Sequence, residues 1–186
     1  MSGLLYENKY FNVYSHSINC DNITQNNPIG LFASISGSPT YNESNNSVPI
    51  EINSTVKYSN GIYLDPLDNR KIRFNKTGVY QFNAVLLYNG EQTPTIDDAT
   101  ACYSLACQFK QFANDGTLKD FSHPYGTTFN ISGSYFQSLS INTLLNIDNI
   151  TDYVILNSVI LSNEGLNFNW NIQNGEVNIS QYATTN

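Results

Sequence analysis

Charge is scarce in this chain of 186 residues. Lys, Arg, Asp and Glu make up 12% of it, about half the usual ~25%. Eight basic residues against fifteen acidic ones leave a net charge of −7. Binding nucleic acid takes clustered cations to displace the counterions of phosphate, and no basic run exists here, so nucleic acid is excluded as a partner. The same shortage argues against docking on an anionic membrane. Apolar runs are short as well: none approaches the ~18 residues of a membrane span, so no membrane insertion is expected. Met1 to Glu7 has neither the basic start nor the apolar middle of a signal peptide, and the expectation is a protein made in a cytoplasm.

Reactive side chains are few. The three cysteines, Cys20, Cys102 and Cys107, are an odd number. A strand through CYSLAC puts residues 102 and 107 on opposite faces, which speaks against a bridge and for small buried apolar groups. The two histidines, His16 and His123, have no zinc-ligand spacing around them. There is no Gly-x-Ser-x-Gly and no phosphate loop. Asp97-Asp98 and the pair Asp65/Asp68 offer oxygens, but without an Asp-x-Asp-x-Asp-Gly loop they read as solvated turn acids rather than calcium ligands. Catalytic residues, cofactor and metal are therefore all expected to be absent.

What is abundant is neutral and aromatic: 28 Asn, 13 Tyr and 10 Phe. Asn is a poor helix former, while Tyr, Phe, Val, Ile and Thr suit pleated, half-buried surfaces. Eight Asn-x-Ser/Thr sequons occur, at Asn22, Asn42, Asn45, Asn53, Asn75, Asn130, Asn149 and Asn178. They follow from so much Asn, Ser and Thr, and are read as unglycosylated.

Alternation organises the chain. Ile29, Leu31, Ala33 and Ile35 share a face, then Ile50, Ile52, Val56 and Tyr58. Asn60-Gly61 reads as a hairpin turn. Ile72 and Phe74 lead through Lys76-Thr77-Gly78 into Tyr80, Phe82, Ala84, Leu86 and Tyr88, with Val85 and Leu87 breaking the polar phase. Leu105, Cys107 and Phe109 follow, and then Leu139, Ile141, Leu145 and Ile147. Residues 153–161 form a nearly continuous apolar run. The strand 166–172 closes at a turn expected at Asn174-Gly175, with Val177, Ile179 and Tyr182 beyond. Roughly ten strands at 8–15-residue spacing, with turn signals between, mean an all-β sandwich or barrel. The domain limits are read as an N-terminal arm over 1–28, a sandwich over 29–183 and a polar tail over 184–186.

The order Asn60-Gly61-Ile62-Tyr63, Ile72-x-Phe74, Thr77-Gly78-Val79-Tyr80-x-Phe82 resembles the C1q/TNF-like jelly-roll family. Phe136 to Ile147 resembles the long strand near that family's three-fold axis, and Asp152-Tyr153-Val154 its acid–tyrosine strand start. Gly78, Tyr80 and Phe82 are the core signature of the resemblance. It implies a jelly-roll β-sandwich of about ten antiparallel strands that assembles as a homotrimer. Tyr88, Leu139, Ile141 and Tyr182 are the candidates for the trimer interface. Tyr6, Tyr10, Phe11 and Tyr14 of the arm are candidates for anchoring to a neighbouring protein.

A jelly roll of this composition, without a secretion signal, looks most like a virion component made in a host cytoplasm: a capsid decoration, head fibre or spike serving assembly or attachment. Its expected partners are itself, other capsid or virion proteins, and a host-surface receptor or glycan. The competing reading is a carbohydrate- or receptor-binding module without catalysis, motivated by Trp170, Tyr63 and Tyr103. A secreted signalling ligand of the same fold is the third.

Overall fold

The computed structural model describes residues 29–37, 47–92, 102–130, 134–162 and 168–184, and every regular element within them is a strand. The arm of residues 1–28, with Tyr6, Tyr10, Phe11 and Tyr14, lies outside the described residues.

Twelve strands run β1 (Gly30–Gly37), β2 (Ser47–Pro49), β3 (Ile52–Asn60), β4 (Ile62–Asp65), β5 (Asp68–Phe74), β6 (Gly78–Gln92), β7 (Cys102–Phe112), β8 (Leu118–Phe121), β9 (Tyr125–Asn130), β10 (Ser134–Ile147), β11 (Tyr153–Ser162) and β12 (Phe168–Ala183). One sheet has the order β10-β6-β12-β1-β3. The other has the order β4-β5-β11-β7-β8, with β2 also pairing to β11 and β9 to β7. All the named strand pairs are antiparallel. The count exceeds the expected ten because Ser47–Pro49 is a strand separate from β3 and because the short, wholly exposed β8 has no apolar alternation to mark it.

The two sheets bury one core between them. From the first sheet come Leu31, Ala33, Ile35, Ile52, Tyr80, Phe82, Ala84, Leu86, Tyr88, Leu139, Ile141, Ile172, Val177 and Ile179. From the second come Ile62, Ile72, Phe74, Leu105, Cys107, Phe109, Val154 and Leu156. Successive strand residues point to opposite faces, so most of the apolar phase ends up inside; Val56, Tyr58 and Tyr182, expected on the same faces as their buried neighbours, are exposed where the register shifts in β3 and β12. Aromatic rings bridge the sheets: Phe74 lies 4.9 Å from Tyr80 and 6.1 Å from Phe82, and Phe82 lies 5.1 Å from Phe109. A buried hydrogen bond from Tyr88 Oη to Ser158 Oγ, 2.8 Å, ties β6 to β11 through the interior.

Two expected turns are something else. Asn60-Gly61 joins β3 to β4, which lie in different sheets. Gly61, at φ +71°, is thus a corner between layers rather than a hairpin, and its carbonyl accepts the Asn75 amide at 2.8 Å. Asn174-Gly175 does not end a strand at all, because β12 runs on through it with a register shift between Ile172 and Asn174. A side chain at Gly175 would meet Leu86 at 2.8 Å and the Val85 carbonyl at 3.0 Å. Glycine is there for close approach within the sheet, not for a turn. Gly78 does mark a crossing, from β5 in one sheet to β6 in the other. Its φ is +153°, and a Cβ would lie 2.5 Å from the Ala183 carbonyl, so only glycine fits.

Candidate inter-subunit face and the loop end of the second sheet

The outer face of β10-β6-β12 is set by the residues between the buried ones. On β6 these are Val79, Gln81, Asn83, Val85, Leu87 and Asn89. Register places each of them beside a β10 residue and a β12 residue. Asn83 lies opposite Asn142 and Asn178, Val85 opposite Ser140 and Glu176, Gln81 opposite Leu144 and Ser180, and Asn89 opposite Phe136 and Asn171. Val85 is 50% exposed, Leu144 50%, Phe136 66% and Tyr182 70%. Gln81 Nε2 donates to Asn142 Oδ1 at 3.3 Å.

This face carries almost no charge. β10 contains no charged residue in 14, β6 has only Glu91 and β12 only Glu176. Glu176 pairs with Lys57 at 2.7 Å, and the Lys57 ammonium also sits 4.5 Å from the Phe32 ring centre. That pair marks the border towards β1 and β3. Among the described residues β10 is also the last strand of its sheet. A long uncharged edge strand without Pro is an invitation to pair or pack with another chain.

The structure moves the interface candidates. Tyr88, Leu139 and Ile141 are 0%, 5% and 1% exposed. A side chain already enclosed by its own chain has nothing to offer a second copy, so the expectation for these three is corrected: they are core residues. Tyr182 is on the surface. Tyr80 and Phe82, with no exposed area, sit in the core beside Gly78. The residues of these strands that reach the surface are those of the opposite parity. Their signal was present in Val85 and Leu87, apolar residues on the phase that Gln81 and Asn83 assign to the outside.

The second sheet differs in kind. At one end, Arg73 joins three turns. Its Nε donates to Asp65 Oδ2 at 3.0 Å, its Nη2 lies 3.0 Å from the same oxygen in an ion pair, and its Nη1 donates to the Thr151 carbonyl at 2.8 Å and lies 3.5 Å from Asn114 Oδ1. Its guanidinium lies 5.0 Å from the ring centre of Tyr153, on which the Lys71 ammonium also sits at 4.9 Å. Phe112 stacks against Tyr153 at 5.4 Å. Tyr63, opposite Arg73 in register, is 40% exposed.

Nearby, the Lys119 ammonium bridges Asp148 and Asp152, at 2.8 Å from the latter, and Gln111 Nε2 donates to Asp152 at 3.1 Å. Lys119 holds the Asp148 carboxyl below the ordinary carboxylate range. The Leu67 amide, joined by Arg73, does the same for Asp65, and Arg70 for Asp68. The two acids expected to be solvated turn groups, Asp65 and Asp68, are in fact ion-paired.

Among the described residues no group of three or more His, Cys, Asp or Glu is placed to hold a metal ion. His123 is exposed. Cys107 is buried, and burial pushes its thiol up to about 12. A thiol that stays protonated is a poor nucleophile. Asp97 and Asp98 lie outside the described residues, as do the side chains of Tyr103 and Trp170.

No protein-family model matches this sequence, and no curated protein matches it closely enough to count as a relative. Solved structures match in shape. The globular domain of zebrafish complement 1qA protein is 10% identical with a TM-score of 0.52, over 85% of this chain and 99% of the other. Eiger TNF from S. frugiperda is 9% identical with a TM-score of 0.52, over 86% of this chain and 96% of the other. Murine APRIL is 10% identical with a TM-score of 0.50, over 81% of this chain and 98% of the other. At such identities the likeness concerns the fold alone, and the fold is the all-β jelly roll shared by these TNF and C1q structures.

Proposed function

We propose that the chain is a structural subunit of a virus particle: a homotrimeric capsid decoration, head fibre or spike whose copies meet through the outer face of β10-β6-β12. The observation that carries the trimer is that face itself. It combines exposed Phe136, Leu144, Val85 and Tyr182 with amides and hydroxyls, and has almost no charge. Interfaces shed charge at their centre and gain aromatics. Copies of a chain with net charge −7 repel least where both surfaces are neutral. Closed three-fold packing would also cover the outer edge of β10.

The particle role is supported by composition: an Asn-rich surface solubilised by neutral groups, and a jelly roll whose described residues assemble no catalytic constellation. Other virion proteins would then be the partners of the arm. Native mass measurement at micromolar concentration tests the trimer, and a monomer there removes it. Capsid and tail genes beside its own gene would support the particle role, and a neighbourhood of unrelated metabolic genes would count against it.

A second reading, a neutral-glycan site, rests on Tyr63. The residue is 40% exposed and lies opposite Arg73 in register, and an exposed aromatic ring is the kind of face on which a sugar ring stacks. A glycan array that stays blank disposes of it.

A further inference from the structure

Resting on the trimer reading, we propose that the asparagine row Asn142–Asn83–Asn178 is the specificity element of the inter-subunit face, fixing the register and number of copies that join. Asn83 is flanked in register by Asn142 on β10 and by Asn178 on β12, so three primary amides stand side by side across three neighbouring strands. All three belong to the outward parity: Asn142 and Asn178 are exposed, and Asn83 is half-buried between them.

The occupant that fits such a row is a second copy of this chain. A primary amide brings two donors and an acceptor oxygen with two lone pairs, so an amide row can satisfy an identical row. A row of carboxylates or ammonium groups could not. Gln81 already occupies Asn142 Oδ1 with its own amide hydrogen at 3.3 Å, which turns the Asn142 donors away from it.

The rows on either side supply the contrast. Val85 with Ser140 lies one step along, and Leu144 with Gln81 one step the other way. Val85 and Leu144 are each half exposed. When they are covered, the amides between them are covered too. A copy slid by one row would then set amides against Val85 or Leu144 and leave buried donors unpaired, which is unfavourable. Apolar side chains supply adhesion without direction, and the amide row supplies direction at some loss of adhesion. A single buried Asn acts this way when it sets the register and strand number of helical assemblies.

The test compares two variants of the full chain by native mass spectrometry and sedimentation velocity, with circular dichroism to confirm folding. Asn83→Leu/Asn142→Leu is expected to associate at least as tightly as the unaltered protein but to lose its single stoichiometry, spreading over several species. Asn146→Leu/Asn171→Leu adds equal apolar bulk at the margins of the same face and is expected to keep the single species. If the first pair does not fold, Asn83→Ala/Asn142→Ala, which adds no bulk, is expected to show the same spread. A central variant that keeps the original stoichiometry overturns the proposal while leaving the trimer intact. A marginal variant that scatters equally also overturns it, by tracing the effect to apolar area alone. An unaltered protein that is monomeric removes the trimer reading itself.

Discussion

The two outer surfaces of this sandwich are built from the same alternation yet differ in what they expose. Outside β10-β6-β12 the chain shows amides, hydroxyls and half-exposed apolar groups. Outside the second sheet and at its loop end it places Asp65, Asp68, Arg70, Lys71, Arg73, Lys110, Lys119 and Asp120. A charged surface keeps water and resists close packing. A nearly neutral one loses less when covered, because here the Glu176–Lys57 pair at its border is the charge that would have to be desolvated. In a chain with so little charge overall, concentrating it on one side leaves the other free to meet a copy. The charges on the second sheet also work locally, since Arg73 and Lys119 fasten turns that are far apart in sequence.

The largest expected effect falls on the core both sheets share. Phe82→Ala should cost about 3–5 kcal/mol in chemical denaturation, because the ring is fully enclosed between Phe74 and Phe109. An unchanged melting temperature would mean that the two sheets do not bury a common interior.

The loop end of the second sheet comes next. Asp152→Ala removes the acceptor for both Gln111 and Lys119, and Gln111 is itself 1% exposed. The expected loss is about 1–3 kcal/mol, with β8 the first segment to lose amide protection in hydrogen exchange. Equal protection in mutant and wild type would show the network to be incidental.

Acid titration separates the two sides further. Hydrogen bonds from the Leu67 amide, Arg70 and Lys119 hold the carboxyls of Asp65, Asp68 and Asp148, respectively, below the ordinary carboxylate range in the folded chain. The unfolded chain therefore takes up protons first. Their stabilisation is complete above about pH 4 and drains away as the pH falls below it. Hydrogen exchange should show the loop end of the second sheet loosening in that range, ahead of the first sheet. Simultaneous loosening would contradict the division of charge.

The smallest effect belongs to the border pair. Lys57 and Glu176 are each about half exposed, so Glu176→Gln should change stability by less than about 1 kcal/mol.

Much of this was legible in the chain, and the failures are instructive. The strands around Tyr80, Leu139 and Val154 could be read because one apolar phase per strand is a local pattern. Asn174-Gly175 and Asn60-Gly61 could not. A glycine shows that something is tight or twisted there, but at Gly175 the cause is Leu86 and Val85, whose approach depends on pairing across nearly ninety residues. The burial of Tyr88, Leu139 and Ile141 was misread for a related reason. On β6 both phases turn apolar at Val85 and Leu87, and an aromatic such as Tyr88 draws attention that belongs to its plainer neighbours. Which phase faces the core is decided by the partner sheet, through contacts such as Tyr88 to Ser158.

On the trimer reading, two further copies of the chain cover the neutral sheet face. Val85→Lys, measured by native mass spectrometry beside the unaltered protein at micromolar concentration, tests it most directly. Val85 is half exposed in the protomer, so the substitution should leave folding stability within about 0.5 kcal/mol. The unaltered protein should appear at three times the 20.8 kDa chain mass, at low and high salt alike, and the Val85→Lys protein as a folded monomer. A single-chain mass for the unaltered protein, or a Val85→Lys protein that remains trimeric, would contradict the account.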